Sequence, residues 1–275
     1  MSFRVFTTRS VGSSMLIVLL STAMALASIL SVASAHAVQA SSRPTVVLVH
    51  GAWASPPGWD LTVERLERAG YETAAPQLSL LGLSLDVEIV RDTLDAIPGD
   101  KLLVAHSYGG MVSTNAAYGR TDVRGIVYTA AFVPDTGDSI LSLGSGFPET
   151  AVLHHLEWLG EPFASLCYIA RADFREVFAS DLNPKLAQEL NDGQIPANPE
   201  LLVTPSGPGA WHTLPTWYAV SGKDVVIPPA QQRWMAERAG SAVVEFPAAS
   251  HVGGYTHYVA QFANLIIGAA EQTAP

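Results

Sequence analysis

KLLVAHSYGGM, residues 101–111, is the densest signal in this chain. The apolar run at residues 102–105 predicts a short buried strand. It stops at His106-Ser107-Tyr108-Gly109-Gly110, and a helix-like pattern follows to about residue 118. A serine at the tip of a sharp strand-to-helix turn, with small residues on both sides, is the pattern of a nucleophile elbow, usually G-x-S-x-G. Here the five residues are Ala105-His106-Ser107-Tyr108-Gly109, so alanine stands at the first glycine. Small residues let the backbone turn tightly, and glycine matters most where φ > 0 is demanded. A serine-x-glycine after a strand is also an ordinary strand-to-helix turn, so the motif needs support from the rest of the chain.

Outward from the elbow, strands and helices alternate. TVVLVH (residues 45–50) is a continuous apolar strand candidate. Residues 59–70 carry Leu61, Val63, Leu66 and Ala69 at roughly helical spacing, with Gly70 as the stop. YETAAP predicts a short strand ending at Pro76. Residues 84–97 predict a helix capped by Ser84 and ended by Pro98-Gly99, and residues 123–132 another buried strand. Such alternation implies parallel pairing and an α/β fold class. It breaks at about 134–213, a stretch with scattered aromatics, prolines and glycines, read as a mostly helical cap inserted between sheet strands. It resumes with WYAVSGKD, a helix over 230–239, the strand AVVEFP and a last helix from about 255 to 270.

The chain has 275 residues, 48% hydrophobic and 15% charged, which fits one large α/β domain with a core that needs no staple. Its formal net charge of −10 disfavours nucleic acid and anionic membranes as partners. The N-terminus stands apart. Arg4 and Arg9 precede an uncharged apolar stretch at 15–32, and Ala33-Ser34-Ala35-His36-Ala37 offers small residues at A-x-A spacing. The expectation is a secretory signal peptide over 1–37, with Ala35 and Ala40 as other possible ends, and a single domain over 38–275 that is secreted or periplasmic. A membrane enters only if the leader stays uncleaved, since the stretch touches the lower limit for a span. The one cysteine, Cys167, can form no intramolecular disulfide, and its apolar neighbours make it a small buried hydrophobe.

A serine hydroxyl is a poor nucleophile at neutral pH and needs a base within reach and a group that orients that base. SGKDVVIPP puts Asp224 just past a strand, where a loop opens on the ligand side of a parallel sheet. FPAASHVGG puts His251 after the next strand. The order Ser107, Asp224, His251 is nucleophile, acid, base. Three residues of the right type, each at a strand's carboxyl end, are more specific than the elbow alone. Asp135 and Asp138, after the strand that follows the elbow, are alternative positions for the acid. Developing charge on a tetrahedral intermediate also needs fixed N–H donors. Tyr108, directly after the serine, supplies one, and Ala52, in the VHGAW loop after the first strand, supplies the other.

VVLVHGAWASPPGWD, LLVAHSYGGM, YTAAFVPDTGDS, WYAVSGKDVVIPP and FPAASHV together resemble the α/β-hydrolase superfamily, most of all small bacterial hydrolases related to plant methyl-esterases and hydroxynitrile lyases. The resemblance runs from Pro44 to the C-terminus and is weakest in the cap. It implies an α/β-hydrolase fold, a mostly parallel sheet with helices on both faces, and places the nucleophile on Ser107, the acid on Asp224, the base on His251 and the oxyanion donors on Ala52 and Tyr108. The related lyases carry threonine after the histidine of the first loop and lysine after the catalytic histidine. Gly51 and Val252 stand there instead, which favours ester hydrolysis.

The remaining polar residues predict structure more than chemistry. His50 and His106 flank the site and are expected to pack or to bond backbone. His154 and His155 are adjacent, so their side chains diverge, and no H-x-x-x-H or C-x-x-C spacing supports a metal. His257 is expected on the surface of the last helix, and Trp53 and Trp59 in packing, with Trp53 able to edge a pocket. The expected function is a serine hydrolase that cleaves small to medium carboxylic esters through an acyl-enzyme on Ser107, with no metal or organic cofactor. Lactones, thioesters and activated amides stay open as substrates. The alternatives are hydroxynitrile-lyase-like or cofactor-free perhydrolase activity on the same triad, or a non-catalytic binding protein of the same fold.

Overall fold

The computed structural model describes residues 43–274, so the leader and its cleavage site lie outside the described residues. Within it, β-branched and leucine runs form strands sealed on both faces, as a parallel sheet covered by helices demands. β1 (Thr45–Val49), β3 (Lys101–Ser107) and β7 (Thr216–Ser221) are buried along their whole length, and β4 (Val123–Ala131) nearly so. With β2 (Thr73–Ala74) and β8 (Ala242–Phe246) they make a six-stranded sheet in the order β2-β1-β3-β4-β7-β8, every pairing parallel. The chain runs from β1 outward to β2 and returns to the other side of β1 for β3. That reversal between β1 and β3 is a topological switch point, where open α/β sheets bind ligands at the strands' carboxyl ends.

Between the strands lie helices α1 (Asp60–Arg68), α2 (Leu83–Ala96) and α3 (Gly109–Ala117). α1 has Asp60 in its first turn and Arg65 and Arg68 in its last, the charge order that suits the helix dipole. α2 starts at Leu83 after Gly82, so Ser84 lies inside the helix and does not cap it. The start signal is Gly82, which leaves no side-chain cap at that end.

Residues 134–213 hold short elements: helices α4 (Ile140–Leu143), α5 (Phe174–Phe178) and α6 (Pro184–Asp192), several single 3-10 turns, and an antiparallel pair, β5 (Leu156–Trp158) with β6 (Cys167–Ile169). The pair was not foreseen, because three-residue strands carry no readable alternation. After β7 come α7 (Pro229–Arg238), β8, α8 (Gly253–Thr256) and α9 (Val259–Gln272). The single last helix expected over 255–270 is therefore two. The Gly253 carbonyl accepts from both His257 N (2.9 Å) and Tyr258 N (3.0 Å), which closes the first helix before the second begins. Among the described residues no helix is long and apolar enough to cross a membrane.

Candidate active site

The elbow is built by close approach. Ser107 ends β3 with φ at +52°, a left-handed conformation that costs a non-glycine residue free energy and persists only where its surroundings enforce it. Two contacts enforce it here. A Cβ at position 109 would lie 2.5 Å from the Val49 carbonyl oxygen and 2.6 Å from that of His50, so only glycine lets α3 start this near to β1. On the other side the register between β3 and β4 shifts at His106/Ser107, and Phe132 N donates to the Ser107 carbonyl (3.1 Å). Alanine at 105 lies in regular strand and meets no such demand.

Asp224 and His251 come from the loops after β7 and β8. His251 Nδ1 lies 2.7 Å from Asp224 Oδ2, and both side chains are fully sealed from solvent. Asp224 Oδ1 accepts from the backbone N–H of Val226 (2.7 Å) and Ile227 (3.0 Å), and Oδ2 also accepts from Gln232 Nε2 (2.8 Å). Gln232 is itself held: Nε2 donates to the Ile227 carbonyl and Oε1 accepts from Ser221 N. With Asp224 accepting at Nδ1, the neutral ring of His251 presents a lone pair at Nε2. That atom is buried and has no hydrogen-bond partner among the described residues. No hydrogen bond joins it to Ser107, and in ligand-free enzymes such contacts commonly tighten only when substrate binds.

His106 holds the base from behind. Its ring packs on that of His251 with centroids 4.5 Å apart, and its Nε2 donates to the His251 carbonyl (3.2 Å). Burial first, and the neighbouring His251 second, hold its pKa well below the ordinary histidine value. The flanks of His251 are pinned as well. Ser250 Oγ donates to Asp181, and Val252 N donates to the Phe178 carbonyl.

Ala52 and Tyr108 both line the cavity that Ser107 lines, and neither backbone N–H donates to another backbone group among the described residues. His50 fixes the first of these peptides. Its Nδ1 donates to the Gly51 carbonyl (2.9 Å) and its Nε2 accepts from Leu78 N (3.0 Å), the pattern of a neutral ring, in keeping with a pKa lowered chiefly by burial. Across a trans peptide the Ala52 N–H points opposite the Gly51 C=O, so this hydrogen bond sets its direction. The Tyr108 side chain is anchored through its hydroxyl to Asp86 Oδ2 (2.9 Å), while Asp86 Oδ1 accepts from Ser79 N, Ser79 Oγ and Leu80 N. A Cβ at Gly51 would fall 2.6 Å from Ser107 Cβ, so a threonine at this position does not fit without displacement.

Asp86 and Gln232 escaped the reading of the sequence, although a signal exists. Asp86 occupies the apolar face of α2 with Leu83, Val87, Val90 and Leu94, and a carboxylate in an apolar stripe must find donors. Asp135 and Asp138, the alternative acids, are placed elsewhere: Asp135 bonds His212 (2.9 Å) and Asp138 bonds Arg238 (2.9 Å). His155 pairs with Asp173 (2.8 Å), and His257, half exposed in the break between α8 and α9, pairs with Asp181 (3.2 Å). Cys167 is buried, and Trp53, which lines the cavity, donates from Nε1 to its carbonyl (3.1 Å).

The cavity has a volume of about 450 Å³ and is lined by Ser107 and the strand-end loops on one side and by residues of the inserted segment on the other. A family model described as "Alpha/beta hydrolase family" matches residues 46–265. The carbendazim hydrolyzing esterase of Nocardioides sp. (strain SG-4G) is 39% identical over 112 residues, 35% of this chain and 46% of that protein, so the match spans less than half of the relative. Methylesterase 1 of Arabidopsis thaliana is 26% identical over 219 residues, covering 68% of this chain and 80% of its own. A crystal structure of a pyrethroid hydrolase is 26% identical, with a TM-score of 0.70 over 84% of this chain and 98% of that one. The kinship with plant methylesterases expected from the sequence stands among these matches.

Proposed function

The chain belongs to the alpha/beta hydrolase family, and from that premise we propose that it is a carboxylic ester hydrolase working through an acyl-enzyme on Ser107. The observation that carries the reading is the sealed His251–Asp224 pair, with Nε2 unpartnered among the described residues, together with Ser107 held at φ +52° at the end of β3. In the first half-reaction His251 Nε2 takes the proton from Ser107 Oγ as the oxygen attacks the ester carbonyl. Asp224 holds the tautomer and stabilises the imidazolium. The Ala52 and Tyr108 N–H groups receive the oxyanion. His251 then protonates the leaving alcohol, and water deacylates the serine with His251 as base. The relatives' names, esterase, methylesterase and pyrethroid hydrolase, support ester hydrolysis. The collision at Gly51 speaks against the lyase alternative. The leader, with Arg4 and Arg9 ahead of an apolar stretch, supports export. N-terminal sequencing of the exported protein checks that part, and an intact Met1 overturns it.

Turnover of a series of p-nitrophenyl esters, with covalent labelling by a fluorophosphonate, tests the mechanism. Ser107→Ala is expected to abolish labelling and to lower kcat by several orders of magnitude while the fold survives. Substantial turnover by a purified Ser107→Ala protein overturns the assignment.

A further inference from the structure

Two glutamines stand side by side at the start of α7, both buried, and meet opposite fates. Gln232 bonds Asp224, Ile227 and Ser221. Gln231 is 3% exposed, lines the cavity, and its amide has no hydrogen-bond partner among the described residues. Its amide atoms are not among the sealed ones, so they stay open to the cavity and free to bond a ligand there. Thr150 also lines the wall, but its Oγ1 is sealed from the cavity.

The rest of the wall explains what this amide can select. Phe132, Ile140, Val152, Leu153, Leu202 and Val226 make it apolar. The side-chain polar atoms of Trp53 and Tyr108 are taken, by the Cys167 carbonyl and by Asp86. Among the described residues no lysine or arginine lines the cavity, and Glu149 at its edge is an exposed carboxylate that faces His154 (3.4 Å). A volume of about 450 Å³ takes a small organic molecule whole. A primary amide offers both a donor and an acceptor, and so does a hydroxyl.

We propose that Gln231 recognises an uncharged group that both donates and accepts hydrogen bonds on the apolar arm of the substrate. The preferred substrates are neutral esters with such an arm. A negatively charged arm is rejected, because nothing cationic awaits it and Glu149 repels it. The inference rests on the reading of this cavity as an ester-hydrolase site and adds a specificity residue to it.

Methyl ketones cannot be hydrolysed, so their binding reports recognition apart from turnover. Three aryl ketones of one shape, para-substituted with carboxamide, isopropyl or carboxylate and made with a series of spacer lengths, are titrated by calorimetry into wild type, Gln231→Leu and Gln231→Met. A melting curve for each protein reports folding. In wild type the carboxamide binds more tightly than the isopropyl compound and the carboxylate most weakly. In both variants the carboxamide preference falls roughly tenfold, the size of one hydrogen bond left unmade in a desolvated site. An unchanged preference in the variants, or none for carboxamide in wild type at any spacer, overturns the proposal. p-Nitrophenyl acetate turnover sensitive to Ser107→Ala is measured alongside. Its absence would refute the hydrolase reading while leaving the ketone preference to decide the role of Gln231.

Discussion

The carboxyl edge of the sheet and the segment inserted over residues 134–213 line one cavity and are built by opposite means. At the edge, the two buried carboxylates are each bonded from several directions: Asp224 by two backbone amides, Gln232 and His251, and Asp86 by Ser79, Leu80 and Tyr108. In the insert, elements are short and large apolar side chains reach solvent, with Leu159 59% and Phe163 77% exposed. Buried hydrogen bonds fix atoms to within tenths of an ångström because the alternative is an unpaired group in a medium of low dielectric. Apolar contact fixes only volume. Chemistry therefore belongs to the edge, and substrate choice to the insert together with Gln231 on α7, and substitutions should divide the same way.

The sharpest test of that division within the edge is Asp224→Asn. An asparagine can turn an N–H toward a ring nitrogen that needs an acceptor, and the loss in kcat should be about 10⁴-fold if the site behaves as the serine-protease triad does. Asp135→Asn, which breaks only the contact to His212, should change kcat less than twofold. Steady-state kinetics on both variants decides, and a mild Asp224→Asn beside a crippled Asp135→Asn would move the acid to the other loop.

Gln232→Leu comes next. It removes the donor to Asp224 Oδ2 and leaves Ser221 N and the Ile227 carbonyl without their partner. The carboxylate stays, less well aimed, so kcat should fall ten- to a hundredfold with little change in KM. Stability should drop by about 2 kcal/mol for the groups left unpaired. Gln232→Glu should not rescue, since it sets a second carboxylate against Asp224. Wild-type kcat in the leucine variant would show that the two backbone amides position Asp224 alone.

How far the edge was legible follows from where its information lies. The elbow is a contiguous motif, and Asp224 and His251 each follow an apolar run that ends in a loop, so local pattern located them. The contacts that hold them are distant in sequence. Tyr108 meets Asp86 22 residues away, and His106 meets the His251 carbonyl 145 residues away. Gln231 and Gln232 are identical side chains on different faces of α7, and only the packing around the helix separates a bonded amide from a free one. The insert was least legible, because its β5–β6 pair rests on three residues a side and its shape on tertiary contact.

The buried histidines at the edge also link the site to stability. His50 and His106 have pKa values lowered by burial, His106 well below the ordinary value. Unfolding exposes them, and below about pH 6.5 the unfolded chain then binds protons that the folded one refuses. Their effect is absent above that pH, and stability is lost as pH falls from about 6.5 toward the folded values. The slope should reach about 1.4 kcal/mol per pH unit for each histidine. Urea midpoints measured from pH 8 to pH 5 should decline over this range, and less steeply in His106→Gln. A flat midpoint down to pH 5 would contradict the neutral, buried state of both rings.

The smallest effect is expected on the other side of the cavity. Leu141, on α4, lines the cavity and is 47% exposed, so it covers a bulky substrate without being locked by neighbours. Leu141→Ala removes only part of a contact surface, worth about 1 kcal/mol by the apolar area at stake. That corresponds to roughly a fivefold fall in kcat/KM for a bulky apolar ester relative to p-nitrophenyl acetate. The ratio is the informative quantity, because acetate reaches little of the insert while both esters use the same strand-end groups. A ratio that does not move would place bulky arms away from α4. A fall of a hundredfold or more, or a collapse of kcat for both esters, would mean that the insert aligns the reacting carbonyl as well as selecting its substituents, and the division between edge and insert would fail at this residue.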